Sequence, residues 1–100
     1  MGRMMHIVLM RLRPDADPAI VKEYLDATRE LAKQLEGIES LSVGADVLRR
    51  DNNPYTHAAV FVFRDQASLE ALRTAPAQLR LRNDLNPKVL LEATSFDMPL

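Results

Sequence analysis

The chain has 100 residues, 47% of them apolar, 27% charged and 5% aromatic, and a formal net charge of −1. That length suits one domain over residues 1–100, which should bury roughly 65% of its unfolded surface. Disorder is excluded by the apolar content, a nucleic-acid partner by the lack of a basic excess, and a membrane span by the absence of any apolar run near ~18 residues. With no cysteine, disulfides, thiol catalysis and Cys-ligated zinc are also excluded. The apolar N-terminal stretch is interrupted by His6 and Arg11, and no small-residue cleavage site follows. No secretory signal is expected, and a cytoplasmic location is.

Residues 4–13 (MMHIVLMRLR) predict a strand that stops at Pro14. One face carries His6, Val8, Met10 and Leu12, the other Ile7, Leu9, Arg11 and Arg13. Asp17 is placed to cap a helix, and Pro18 fits the first helical position, where an N–H would be unpaired anyway. The stripe Ile20, Tyr24, Ala27, Leu31, Leu35, flanked by Val21, Leu25, Thr28 and Ala32, predicts that helix over 18–36. Gly37 reads as its C-terminal stop. Residues 38–50 predict a second strand, with Gly44 marking a bulge or a close approach. Asp51-Asn52-Asn53-Pro54 is a turn. A third strand over 55–64 places His57, Ala59, Phe61 and Phe63 on one face and Ala58, Val60 and Val62 on the other. Asp65 caps a second helix over 66–74 with Leu69 and Leu72 inward, and Ala75, before Pro76, is pushed out of helical geometry. Residues 77–87 read either as a short helix or as an ordered loop. A last strand covers 88–98.

The order βαββαβ predicts a ferredoxin-like α+β sandwich, an antiparallel sheet with two helices on one face. The bulkier face, with Met10, Leu12, Phe61 and Phe63, belongs under the helices. The opposite face still carries Ile7, Leu9, Ala58, Val60 and Val62, an apolar patch unusual on a monomer. A second copy of the sheet would cover it. A homodimer with its sheets face to face is therefore expected, since isologous pairing is the commonest closure.

Several short stretches recur in a known order: His6-Ile7-Val8-Leu9, a charged strand end with Pro14, a helix closed by Gly37, Val43-Gly44-Ala45-Asp46, Tyr55-Thr56-His57-Ala58 and Ser95-Phe96-Asp97. Together they resemble the stress-responsive A/B barrel (Dabb) family over nearly the whole chain. The resemblance implies a dimeric α/β barrel. The family has a polyketide cyclase branch that works without a cofactor, and none is expected here. In that branch a pocket lies between sheet and helices. Carried over by position, its sheet wall is His6, Val8, Met10, Asp46, His57, Ala59 and Phe61. Its helix wall is Tyr24, Leu25 and Thr28. The branch's chemistry centres on a histidine ending a His-Pro-x-His stretch, with a tyrosine shortly before. This chain has Ala75-Pro76-Ala77-Gln78 there, and Leu72 at the tyrosine position. The matching place therefore holds no general base.

His6 and His57 share the bulky strand face and are expected close together on adjacent strands. Imidazole changes protonation near neutral pH, so a buried pair suits acid–base catalysis. The competing reading is two core histidines satisfied by nearby polar partners. Asp46 either orients an imidazole or hydrogen-bonds backbone N–H groups. His6, His57 and Asp46 form a two-His, one-carboxylate inventory, but no HxH or ExxH spacing supports a metal, and none is expected. Tyr24 lies on the helix stripe and reads as core, while Tyr55 reads as a rim residue. Arg73, Arg80, Arg82 and Lys88 form a positive run that either steers an anionic ligand or is a solvated face. Neither a Gly-rich phosphate loop nor a GxSxG serine is present.

Two function classes follow. One is a homodimer binding a small apolar or aromatic-acid ligand, with His57 and His6 as acid–base candidates of a cyclase or isomerase-type enzyme. The other is a non-catalytic stress-response or assembly dimer whose pocket is filled by Met10, Leu25, Phe61 and Phe63. A third, ranked last, regulates a partner enzyme by capping an exposed edge strand.

Overall fold

The computed structural model describes residues 2–100. Strand β1 runs Met4–Leu12. Helix α1 spans Pro18–Gln34, with the Asp17 carboxylate accepting from the Ala19 N–H and Pro18 in the first turn. The helix ends two residues earlier than the sequence suggests. Leu35 is already extended, with φ −116°, and no glycine takes a positive φ. Gly37 is therefore not a left-handed stop. Its requirement is steric: a Cβ there would lie 2.3 Å from the Cβ and Oγ of Ser68, so only glycine allows this approach.

Strand β2 covers Ile38–Ala45, shorter than the expected 38–50. The chain turns after Ala45 because the Asp46 carboxylate accepts the N–H groups of Leu48 and Arg49 at 3.2 Å each. Arg49 takes a left-handed φ of 49° within that loop. The bulge expected at Gly44 lies instead between Ile38 and Ser40, and a Cβ at Gly44 would meet nothing within 4 Å. Strand β3 runs His57–Phe63.

Helix α2, Gln66–Ala71, is capped by Asp65, whose side chain accepts from the Ser68 N–H. A 3₁₀ turn over Leu72–Thr74 continues it. Ala75 is extended, with ψ 132°, as the following proline requires. The segment with two readings is helical throughout: α3 over Pro76–Arg80, a π-helical stretch over Leu81–Leu85, and α4 over Asn86–Val89. Strand β4 follows over Leu90–Pro99.

The four strands form one antiparallel sheet in the order β2-β3-β1-β4, giving the expected ferredoxin-like fold. Register places Met10 opposite His57, Val8 opposite Ala59, and His6 opposite Phe61. That inner face packs under the helices, and Met10, Leu12, Ala59, Phe61 and Phe63 are buried there with Leu31, Leu72, Leu81 and Val89 from the helical layer. Among the described residues nothing covers the outer face. Met5, Ile7, Ala58, Val60 and Val62 are half-buried there, and Phe96 is 63% exposed.

Candidate functional site

A cavity of about 680 Å³ lies between the inner sheet face and the helices. Its sheet wall includes Met4, His6, Val8, Met10, Ala59 and Phe61, and α1 contributes Tyr24, Thr28 and Leu31. The third wall comes from α2 through α4, and includes Leu69, Leu72 and Leu81 beside several polar side chains. Met10 and Phe61, which would have to fill the cavity in a closed core, form part of its wall instead.

His6 is the ionisable group at the centre of that sheet wall. β4 pairs with β1 so that Asp97 stands opposite His6, and the two side chains meet: His6 Nδ1 donates to Asp97 Oδ1. The imidazole is only 15% exposed, against 45% for the carboxylate. Two rings hold it from below, Phe61 at 5.3 Å and Phe63 at 6.4 Å between centroids. Those rings stack on each other at 5.8 Å. A carboxylate on Nδ1 fixes the tautomer and leaves Nε2 as the proton acceptor. Asp97, the missed member of this pair, also lines the cavity. The signal for it was strand alternation: in β4 the residues Ala93, Ser95 and Asp97 pair with Met10, Val8 and His6.

Tyr24 donates from its hydroxyl to Met10 Sδ at 3.2 Å, while the Thr28 hydroxyl donates to the Tyr24 carbonyl at 2.8 Å. Burial pushes the Tyr24 phenol above its ordinary value. It is a neutral wall residue tied to a thioether, a weak acceptor.

The expected His6–His57 pair is not formed. The two lie on the same face but four register positions apart, about 13 Å along the strands. His57 Nδ1 instead hydrogen-bonds the Thr56 hydroxyl at 2.9 Å, and partial burial lowers its pKa. Asp46 orients no imidazole. Besides two backbone N–H groups it accepts from Asn53 Nδ2 at 3.3 Å, which closes the β2–β3 loop. Leu25 packs against the core. His57, Asp46 and Leu25 stand outside the cavity lining, whereas Val8, Met10, Tyr24, Thr28, Ala59 and Phe61 belong to it. Among the described residues no cluster of three or more His, Cys, Asp or Glu side chains could hold a metal ion. The basic run divides: Arg73 and Arg82 line the cavity, and Arg80 and Lys88 do not. Leu72 and Gln78, at the positions of the cyclase tyrosine and histidine, both line it.

This arrangement is that of a ferredoxin-like α+β domain with one carboxylate–imidazole pair in a cavity lined by both apolar and polar side chains. The chain belongs to the Stress Responsive A/B Barrel Domain family, Dabb, whose match covers residues 4–100. No curated protein matches it in sequence. Solved structures share the fold at low identity. A hydroxynitrile lyase from Passiflora edulis superposes with a TM-score of 0.86 at 15% identity, over 99% of this chain and 94% of the other. A Dabb family protein with a ferredoxin-like fold from Mesorhizobium loti gives 0.83 at 17%, over 100% and 99%. A dimeric ferredoxin-like protein of unknown function from Bacteroides fragilis gives 0.81 at 17%, over 100% and 98%.

Proposed function

We propose that the protein is a homodimer that binds a small, mostly apolar molecule in the cavity and moves a proton on it through His6. The observation that carries this reading is the His6–Asp97 pair inside the cavity. In the proposed role Asp97 holds the ring by Nδ1 and stabilises the imidazolium. Nε2 takes a proton from the ligand and returns it at another atom, the elementary act of a cofactor-free isomerisation or cyclisation. Positioned acid–base groups of this kind contribute about 10²–10⁴-fold in rate. That a hydroxynitrile lyase is built on the same fold is a fold-level analogy that accommodates small-molecule chemistry. Cytoplasmic location remains part of the proposal.

The test is an NMR screen of flat aromatic acids and β-diketones, read on the two imidazoles. A binder should shift His6, leave His57 in place, and raise the melting temperature as native-state binding requires. A panel that moves neither His6 nor the melting temperature overturns the ligand-site reading. The alternative, a non-catalytic stress-response or assembly dimer, is favoured by one observation: Leu72 and Gln78 put no acid or base where the cyclase branch has them. Ligands that bind but are never converted, by the native protein or by Asp97→Asn alike, would decide for it.

The dimer has its own support in the uncovered outer face and in the dimeric Bacteroides neighbour. Val60→Glu would put a charge at its centre. Light scattering should then report a monomer with unchanged far-ultraviolet circular dichroism. A variant that stays dimeric would overturn this interface.

A further inference from the structure

The cavity walls differ in chemistry. The sheet wall is apolar around the buried Met10, Ala59 and Phe61, and its polar residues are His6 on β1 and Thr94, Ser95 and Asp97 on β4. The opposing wall, from α2 to α4, presents Gln66, Glu70, Arg73, Gln78, Arg82 and Asn86. Its two guanidiniums come from two different elements, the 3₁₀ turn and the π-helical stretch. π-Helical turns frequently occur at functional sites. Among the described residues, Arg3, Arg11, Arg29 and Arg64 each meet a carboxylate. Arg13, Arg49, Arg50, Arg73, Arg80 and Arg82 meet none, and of these only Arg73 and Arg82 line the cavity, where even Glu70, one turn before Arg73, is not in ion-pair contact with it.

We infer that Arg73 and Arg82 hold the carboxylate of an amphipathic monoanion whose apolar body lies on the Met10–Phe61 wall. This deepens the proposed function and rests on its cavity being a ligand site. A guanidinium stays charged at any physiological pH, and its planar fork matches a carboxylate. Two arginines against Glu70 leave that wall with one net positive charge, which suits a single carboxylate. Anchoring the acid there directs the remainder of the ligand across the cavity to His6 and Asp97. The proton handled by His6 therefore lies at the end remote from the carboxylate. The pair also gives Arg82 a specificity role that nothing in the His-Pro-x-His comparison supplies.

The test titrates naphthalene-2-carboxylate and its neutral isostere, naphthalene-2-carboxamide, into the full chain, following the His6 imidazole signals. The carboxylate is expected to bind about tenfold more tightly, because partly exposed charge pairs contribute modestly and a forked contact adds to them. Arg73→Gln and Arg82→Gln should each remove most of that preference while leaving carboxamide binding intact. Arg80→Gln deletes the same charge in the same run outside the cavity and should change nothing. All three are exposed positions where substitution leaves folding undisturbed, which a melting curve verifies. Equal binding of both probes overturns the carboxylate assignment while the cavity reading stands. A loss with Arg80→Gln as large as with Arg82→Gln replaces the contact by a general field. If neither probe moves His6 or the melting temperature, the cavity reading fails and this inference with it.

Discussion

The two ends of the β1–β3 ladder carry one histidine each on the same inner face, yet they are different places. His6 is on β1, whose other neighbour is β4, which supplies Asp97 on the wall of the cavity. His57 is on β3, whose other neighbour is β2, which supplies only Ala45. The nearest polar partner there is the Thr56 hydroxyl, itself committed to the Leu12 N–H and the Met10 carbonyl. Two identical side chains thus acquire different chemistry from which strand lies beside them. Sharing a face places a residue inward, but only register and neighbour make it part of a site.

Mutations can separate the two ends. The largest effect belongs under His6: Phe63 is 1% exposed, and Phe63→Ala should cost about 3–5 kcal/mol in urea unfolding. A loss below about 1 kcal/mol would mean the His6 end is not the packed floor described. Next is the loop at the other end, where Asp46→Ala removes three accepted hydrogen bonds. It should cost about 1 kcal/mol and leave the His6 resonances unmoved. A shift at His6 would show the ends to be coupled. Asp97→Asn should cost less in stability but change the tautomer balance of His6, read from its two ring ¹⁵N shifts, with His57 unaffected.

The smallest effect is a pH dependence. Burial lowers the His57 pKa in the folded state, so the unfolded chain binds more protons as pH drops through about 6.5. Stability should therefore decline shallowly toward acid pH and hold constant above neutrality. His57→Gln should flatten that part of a melting profile taken between about pH 5 and 8. An unchanged slope would assign the dependence elsewhere.

Much of the fold was legible in the chain. The alternation of 4–13 and 55–64, the Asp17-Pro18 start and the Asp65 cap each correspond to an observed element within a few residues. The uncovered outer face was legible too, because two-sided strands have to bury both sides. Residues 77–87 were ambiguous for a physical reason: a π-helical stretch breaks the 3.6-residue period, and Pro87 interrupts the pattern again. The site was only half legible. Of the wall that the family resemblance implies, Val8, Met10, Tyr24, Thr28, Ala59 and Phe61 line the cavity. Asp97 was missed because a carboxylate on an exposed edge strand looks like solvent-facing charge until the β1–β4 register is known. The His6–His57 pairing failed for the same reason, since face does not specify register.

The contact between Gly37 and Ser68 sets a mechanical limit at a distance from the cavity. α2 rests against the backbone at residue 37 with no room for a methyl group, and the same short helix carries Gln66, Leu69 and Glu70 on the cavity wall. A methyl group at that one backbone position would work as a spacer. It would lift α2 off the sheet end and widen the chamber without altering any residue that lines it.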